Sequence, residues 1–251
     1  MTIERTERES AMLSRLAQDG SLQVAKLARD LGVSEVTIRA DLRQLEERGL
    51  LSRTHGGAEP TGYRDVLERR FQHPAEKERI AAAAAALVHD HDQIMIEAGT
   101  TTAGIVGHLG GLRGVQIVTN STLVFAKARL NPALTVILTG GTFHRSSESL
   151  VGPVALRTLA DFNVRLAFLG TDGFTVERGL TTGFTEGVEV LRAMHQRAQE
   201  SWLVADSSKY GQVGFASVLP LAEVTGVITD DRLSDEAKVE LTEGASQAHF
   251  V

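Results

Sequence analysis

No feature of the sequence restricts the fold more than a unit that recurs between residues 93 and 230. Each copy is a short apolar segment followed by a loop of glycine, hydroxyl, asparagine or aspartate residues. The apolar segments are Gln93–Glu97, Val115–Val118, Leu134–Leu138, Leu166–Leu169, Ser201–Ala205 and Val224–Ile228. A helix is expected after each loop. Strands that alternate with helices predict a C-terminal α/β domain with a doubly wound, mostly parallel sheet.

The loops of this unit predict a binding edge, because ligands of such sheets bind beyond the carboxyl ends of the strands. Glycine allows close backbone approach, hydroxyls donate hydrogen bonds and helix N-termini favour an oxyanion. Gly99–Thr102 is the best candidate for a phosphate cradle. Ordinary turn and N-cap chemistry explains any single loop better than a binding site does, so the prediction depends on four or five loops meeting at one edge. No GxxxxGK[ST] or GxGxxG motif accompanies a strand, which disfavours a nucleotide.

The N-terminal segment predicts three short amphipathic helices. The first spans Glu7–Gln18, and the second precedes Gly32 and carries an i, i+3, i+4, i+7 pattern of Val24, Leu27, Ala28 and Leu31. Ser34 is a suitable N-cap for the third helix, which ends near Arg48-Gly49 and places Ile38, Leu42 and Leu45 on one face. Two helices joined by a glycine-containing turn form a helix-turn-helix, which we place at residues 22–41.

The outward face of the third helix suits DNA recognition, since recognition helices meet base edges and phosphates near their N-terminus. Arg39 or Arg43 can pair with a guanine or hold a phosphate. Residues 50–55 predict a short strand, followed by a hinge at Gly56-Gly57, so that Arg53 and His55 belong to a wing. The predicted DNA-binding residues are Ser34, Glu35, Thr37, Arg39, Arg43, Arg53 and His55. A helical interaction module with solvated arginines is the alternative.

Charge and composition limit the possible partners. The net charge is −6, yet residues 1–57 hold nine Lys/Arg and nine Asp/Glu, so DNA binding requires arginines sorted onto one face. The absence of cysteine excludes disulfides and thiolate zinc sites. No apolar run approaches the roughly 18 residues that span a bilayer, and the first residues lack a signal-peptide pattern. We expect a cytoplasmic protein with no membrane partner.

The run VAKLARDLGVSEVTIRADLRQLEERGLLSRTHGGA resembles the DNA-binding domain of the DeoR-type (GlpR-like) bacterial transcriptional regulators. Ala40 departs from the family pattern, which often has a second arginine there. Further stretches, over residues 76–251, resemble the family's sensor domain: AGTTT, VTNS, LTGG, AFLGTDGF, GLTT and DSSKYG. Glu97 stands where the family often has aspartate. The resemblance implies a sensor domain similar to the ribose-5-phosphate isomerase and CoA-transferase fold.

The resemblance also implies a function. Family members bind double-stranded operator DNA, and most repress genes of sugar or carbohydrate metabolism until a phosphorylated sugar binds. Since helix-turn-helix operators are usually read by dimers, we expect a homo-oligomer, either a dimer or a tetramer. The effector-binding residues that it implies are Gly99, Thr100, Thr101, Thr102, Thr119, Asn120, Ser121, Gly140, Gly141, Asp172, Gly173, Glu186 and Lys209. We therefore expect a regulator and not an enzyme. The alternative is a sugar-phosphate isomerase-like enzyme with an appended DNA-binding module, in which Asp172, Glu186 and Lys209 supply acid, base and anchor.

These observations predict three segments. Residues 1–57 form the winged helix-turn-helix, 58–75 a linker, and 76–251 the effector-sensing and oligomerisation domain. A linker cluster of Arg64, Arg69 and Arg70 is better explained as a solvated face than as a DNA contact. His89 and His91 flank Asp90 in a predicted turn. Solvation explains them better than a metal site, so we expect no metal and no cofactor.

Overall fold

The computed structural model describes residues 4–47, 50–59, 66, 69–70 and 72–251. The chain divides into two compact units, residues 1–71 and 72–251. Most of the predicted linker, including Arg64, lies outside the described residues, as does the predicted helix stop at Arg48-Gly49. The boundaries placed at residues 57 and 76 therefore stay predictions.

Within residues 4–47 and 50–59, the first unit holds three helices and a wing. Its elements are α1 (Arg5–Asp19), β1 (Leu22–Gln23), α2 (Val24–Leu31), α3 (Glu35–Glu47), β2 (Ser52–Thr54) and β3 (Gly57–Glu59). Helix α2 ends because Gly32 adopts a left-handed φ of 67°, which a glycine accommodates without strain. The predicted inward residues Ile38, Leu42 and Leu45 of α3 are at most 1% exposed, which confirms the helical pattern.

The wing is more elaborate than the predicted single strand with a glycine hinge, and that part of the prediction was wrong. Strands β2 and β3 form an antiparallel hairpin, and β3 also pairs with β1. Gly57 lies in β3 opposite both Thr54 and Gln23. A Cβ on Gly57 would lie 1.7 Å from the Leu22 carbonyl oxygen, so this glycine permits close strand approach and is not a hinge.

The second unit holds the helices α4 (Pro74–Ala85), α5 (Thr122–Ala128), α6 (Pro153–Ala160), α7 (Thr185–Gln196) and α8 (Asp235–Gly244). Its strands are β4 (Gln93–Ile96), β5 (Val115–Thr119), β6 (Leu134–Leu138), β7 (Thr142–His144), β8 (Ser149–Val151), β9 (Val164–Leu169), β10 (Gly173–Thr175), β11 (Gly179–Thr182), β12 (Ala198–Val204), β13 (Ala216–Leu219), β14 (Gly226–Thr229) and β15 (Ala248–Phe250).

Seven of these strands form one parallel sheet in the order β15-β14-β12-β9-β4-β5-β6. All six predicted strands are present in it, and β15 is an additional edge strand. Met95 packs into the apolar cluster that includes α6, α7 and α8, whereas its neighbours Ile94 and Ile96 join the cluster of α4 and α5 on the other face. Helices therefore cover both faces, which confirms the doubly wound α/β fold.

The segment after β4 is a 3₁₀ helix, Thr102–His108, where an ordinary helix was expected. It lies very close to α4, since a Cβ on Gly104 would be 2.9 Å from the Ala81 Cβ. Two smaller antiparallel sheets, β10-β11-β13 and β7-β8, were not predicted. Across the part of the chain that the structure describes, no helix has the length and apolar character that crossing a membrane requires.

Candidate functional site

The start of α3 is fixed by the side chain of Ser34. Its hydroxyl accepts a hydrogen bond from the Thr37 amide at 3.1 Å and lies 2.9 Å from the Thr37 hydroxyl. This satisfies one of the free amides of the first helical turn. Ser34 and Thr37 were both predicted as DNA contacts, and the structure gives them a capping role at the end of the helix where DNA would approach.

The charged residues predicted for the same face are exposed. Arg39 forms an ion pair with Glu35, one turn earlier, at 3.0 Å, and Arg43 points to solvent one turn further on. Val36 was not among the predicted contacts, although its side chain is 77% exposed between these groups. Its signal in the sequence was an apolar residue outside the inward i, i+4 pattern of the helix.

The wing is held against α3 by a second ion pair. The Arg53 guanidinium lies 2.7 Å from the Glu46 carboxylate, which also accepts the Arg53 amide at 2.9 Å. These hydrogen bonds place the pKa of Glu46 below its ordinary value. His55 lies exposed in the β2–β3 turn. The wing residues Arg53 and His55 therefore lie on the hairpin that follows the recognition helix.

A buried ion pair that the sequence analysis missed fixes the orientation of α3. Asp41 is 4% exposed, and its carboxylate accepts a hydrogen bond from the Arg8 Nε of α1 at 2.9 Å. Arg5 adds a longer contact of 3.7 Å to the same carboxylate. Asp41 interrupts an otherwise apolar inward face, and this was the signal available in the sequence. The recognition helix is thereby tied to α1 by a charge that must stay paired.

In the second unit, the predicted loops meet at one edge of the sheet. Strands β9, β4, β5 and β6 are consecutive neighbours and run in the same direction, so the loops that follow them lie side by side. These loops carry Gly99–Thr102, Asn120-Ser121, Gly140-Gly141 and Asp172. The 3₁₀ turn Ser207–Lys209 follows β12, the next strand beyond β9.

Three of the predicted hydroxyls are engaged inside the protein. Thr102 donates to the Glu97 carbonyl at 2.7 Å, and Thr119 donates to the Ile96 carbonyl at 2.6 Å. Ser121 caps α5 by accepting the Val124 amide at 3.2 Å. All three residues are fully buried. The turn and capping chemistry weighed above accounts for their side chains, and their role at this edge is to shape the loops.

Two other polar atoms at the same edge are not hydrogen-bonded to any of the residues that the structure describes. Asn120 and Thr139 are each 1% exposed, and the Asn120 Oδ1 and Thr139 Oγ1 atoms have no hydrogen-bond partner among the residues described. These atoms follow the adjacent strands β5 and β6. Gly99 and Thr100, which follow β4, are half-buried. Since buried polar groups are nearly always satisfied, unsatisfied ones at a loop edge are consistent with a polar ligand.

The turn before α7 is held by Asp172 and leads into Glu186. The Asp172 carboxylate accepts the Thr182 hydroxyl at 3.0 Å and the Gly183 amide at 2.8 Å, which ties the loop after β9 to that turn. Glu186 is exposed in the first turn of α7. Its pKa is lowered by its own backbone amide, by the Thr185 hydroxyl and by nearby His144. The His144 ring stacks on Phe184 with centroids 4.1 Å apart, so the β7–β8 hairpin also borders this region.

The loop that carries Lys209 is held by two buried carboxylates that the sequence analysis placed only as strand ends. Asp230, fully buried, accepts the Ser207 amide at 2.7 Å, the Ser207 hydroxyl at 2.8 Å and the Arg232 Nε at 2.8 Å. Burial alone would raise the pKa of Asp230, but these hydrogen bonds outweigh it and hold the pKa at about 2. Asp206 lies 3.9 Å from the buried Lys77 ammonium.

Glu97 has a similar supporting role. Its carboxylate is buried and accepts the Gly170 amide at 3.2 Å, which joins the loops after β4 and β9. A Cβ on Gly170 would lie 2.9 Å from that carboxylate, so a glycine is needed for the approach. Within the described residues, no group of three or more His, Asp or Glu side chains could hold a metal ion.

An exposed recognition helix with a wing, in a chain that also folds a parallel sheet with a polar loop edge, defines a DNA-binding regulator with a ligand-sensing unit. Comparison with known families agrees. A DeoR-like helix-turn-helix domain matches residues 8–61, and a DeoR C terminal sensor domain matches residues 72–231. The chain belongs to the DeoR family of transcriptional regulators.

Its relatives are named as regulators. The chain is 34% identical over 239 residues to the HTH-type transcriptional regulator GlpR of Haloferax volcanii, covering 94% of this chain and 93% of that protein. It is 30% identical to a putative aga operon transcriptional repressor of Escherichia coli O157:H7, with 90% and 86% covered. Regulation, and not catalysis, is thus the function of this chain. Among solved structures, ribose 5-phosphate isomerase A from Methanocaldococcus jannaschii matches with a TM-score of 0.40 and 20% identity, covering 53% of each chain.

Proposed function

We propose that this regulator represses genes of sugar or carbohydrate metabolism and leaves its operator when a phosphorylated sugar binds at the carboxyl edge of the seven-stranded sheet. One observation carries the proposal: the loops after β9, β4, β5 and β6 are neighbours in space. They combine glycines, backbone amides and two buried polar atoms, Asn120 Oδ1 and Thr139 Oγ1, that have no hydrogen-bond partner in the described part of the chain. That is the chemistry of an oxyanion and hydroxyl site.

The proposed contacts divide into two groups. One group would touch the ligand: the exposed or half-buried Gly99, Thr100, Gly140, Gly141, Asp172, Glu186 and Lys209, with the buried Thr101, Asn120 and Gly173 behind them. The internally bonded hydroxyls of Thr102, Thr119 and Ser121 would position the loops. Lys209 would meet the phosphate as a point charge.

Repression and assembly follow from the relatives and from operator geometry. One relative is named as a putative operon repressor, which supports the same sign of regulation here. Helix-turn-helix proteins usually read paired half-sites about one helical turn apart, so we propose a dimer or tetramer assembled through the second unit. A ligand that binds one conformation of the oligomer more tightly would change the affinity of its paired DNA-binding units for the operator. The DNA partner agrees with the expected cytoplasmic location.

The test is a mobility-shift assay of the full-length protein on the DNA upstream of its own gene, with a panel of sugar phosphates. Release by at least one compound, but not by the matching free sugar, is expected. Thr100→Asp should keep operator binding and lose release, because a carboxylate would repel the phosphate. Thr100 is preferred to Thr101 for this test since Thr101 is buried.

A matched control inserts the same charge at the opposite edge of the sheet. Ser246 is exposed and precedes β15, so it lies at the amino edge. Ser246→Asp should be released as the wild type is. Release of Thr100→Asp at wild-type concentrations would place the ligand elsewhere. If no sugar phosphate in the panel releases the wild type, the effector class is wrong.

A further inference from the structure

The exposed face of α3 has an apolar leading end. Val36, the second residue of the helix, is 77% exposed, and Ala40 lies exposed one turn further along the same face. The other large apolar residues of this helix, Ile38, Leu42 and Leu45, are at most 1% exposed. Val36 therefore takes no part in the core of its unit. Water contacts a β-branched side chain here at a measurable free-energy cost.

Polar side chains next to Val36 in the sequence are engaged in interactions within the helix. The Ser34 hydroxyl is engaged by the Thr37 amide, and Glu35 is paired with Arg39. Arg43 lies seven residues after Val36 and so shares its face. Ala40, between them, ends at Cβ and adds no bulk. Along this face, Val36 is thus followed by the small Ala40 and then by Arg43. The Glu35–Arg39 ion pair lies beside this row.

DNA offers one apolar group that such a face could recognise. The N-terminal residues of a recognition helix meet base edges in the major groove. Among the four bases, only thymine carries a methyl group on this edge, beside hydrogen-bond donors and acceptors. A valine cannot hydrogen-bond to these donors and acceptors, and it would leave their polar atoms dehydrated.

We propose that Val36 packs against a thymine methyl group in each operator half-site, and that the small side chain of Ala40 lets the helix approach the base edge closely. Part of the sequence readout is therefore apolar and independent of Arg39 and Arg43. This inference rests on DNA binding by the family and not on the effector proposed above.

The test replaces thymine with deoxyuridine, which lacks only the methyl group, one position at a time in the DNA upstream of the protein's own gene. Binding of the full-length protein is measured by mobility shift without any sugar phosphate. At one thymine per half-site, uridine should weaken binding by about fourfold, the factor expected for one buried methyl group. Substitution at the remaining thymines should have little effect.

A double-mutant cycle assigns that methyl group to Val36. Val36→Ala should weaken binding to thymine DNA by a similar factor. This variant should bind uridine DNA as tightly as it binds thymine DNA, since the contact with the methyl group is already lost. The exposed side chain makes misfolding of this variant no concern. Val239→Ala, which truncates a valine that is 57% exposed on α8, is the matched control and should keep the uridine penalty. An unchanged uridine penalty in Val36→Ala, or no penalty at any thymine in the wild type, would overturn the proposal.

Discussion

Replacing Asp230 with asparagine tests whether buried charge holds the Lys209 loop. The carboxylate accepts hydrogen bonds from the amide and hydroxyl of Ser207 and from the amide and Nε of Arg232. Asparagine keeps the shape but has one acceptor oxygen, and its NH₂ group would face a donor. A buried donor left without an acceptor costs about 1–3 kcal/mol. We expect Asp230→Asn to lower the free energy of unfolding by about 2–3 kcal/mol at pH 7.

The pH dependence gives an independent measure. The folded-state pKa of Asp230 is depressed from 3.8 to about 2, so its contribution is complete above pH 4 and is lost as the pH falls towards 2. The shift corresponds to about 2 kcal/mol. The stability difference between wild type and Asp230→Asn should therefore be constant from pH 7 to pH 5 and shrink below pH 4.

Urea unfolding followed by fluorescence is a suitable assay, because Trp202 is the single tryptophan and lies buried in β12, beside β14. Asp231→Asn is the control. The Asp231 side chain is 65% exposed and makes one surface ion pair with Arg79 at 3.1 Å, which contributes less than about 1 kcal/mol. Equal unfolding midpoints for the two variants would refute the reasoning.

Three further predictions concern the DNA-binding unit. Arg39→Ala should weaken operator binding and relax sequence preference, as a footprint on mixed sequences would reveal; an unchanged footprint would remove Arg39 from the readout. Asp41→Asn removes the carboxylate that pairs with the buried Arg8 guanidinium and should destabilise this unit by about 3 kcal/mol, measured by thermal melting followed by circular dichroism; a melting temperature within error of the wild type would contradict the pairing. Gly57→Ala should abolish operator binding, because its Cβ would lie 1.7 Å from the Leu22 carbonyl oxygen, while Trp202 fluorescence stays native; retained binding would show that the wing tolerates the added atom.

The elements that the sequence predicted well are those with local, periodic signals. The spacing of Val24, Leu27, Ala28 and Leu31 predicted α2, and all four residues are buried. The six predicted strands of the seven-stranded sheet are each mostly apolar, as parallel strands covered on both faces are. Their common direction followed from the alternation with helices, and this brought the candidate loops to one edge.

The elements that were missed depend on partners far away in the chain. Strand β13 pairs with β11, as in Thr181 with Ser217, and β1 has only two residues, which pair across the wing. Short strands of this kind are defined by hydrogen bonds to distant residues and not by their own composition. The site was missed for the same reason where it depends on Asp230 and Asp41, because their partners Ser207 and Arg8 lie 23 and 33 residues away in the chain.

The position of β4 has a consequence for synthesis of the chain. Ile94 pairs with Ile117 on one side and with Leu166, 72 residues further along, on the other. A nascent chain that has not reached β9 therefore exposes an unpaired edge beside Ile94, Met95 and Ile96, all fully buried in the finished fold. Such an edge promotes aggregation. The wing, in contrast, completes its pairing by residue 59. A chain that stops before residue 164 would thus combine a complete DNA-binding unit with a sheet in which β4 lacks one of its two neighbouring strands.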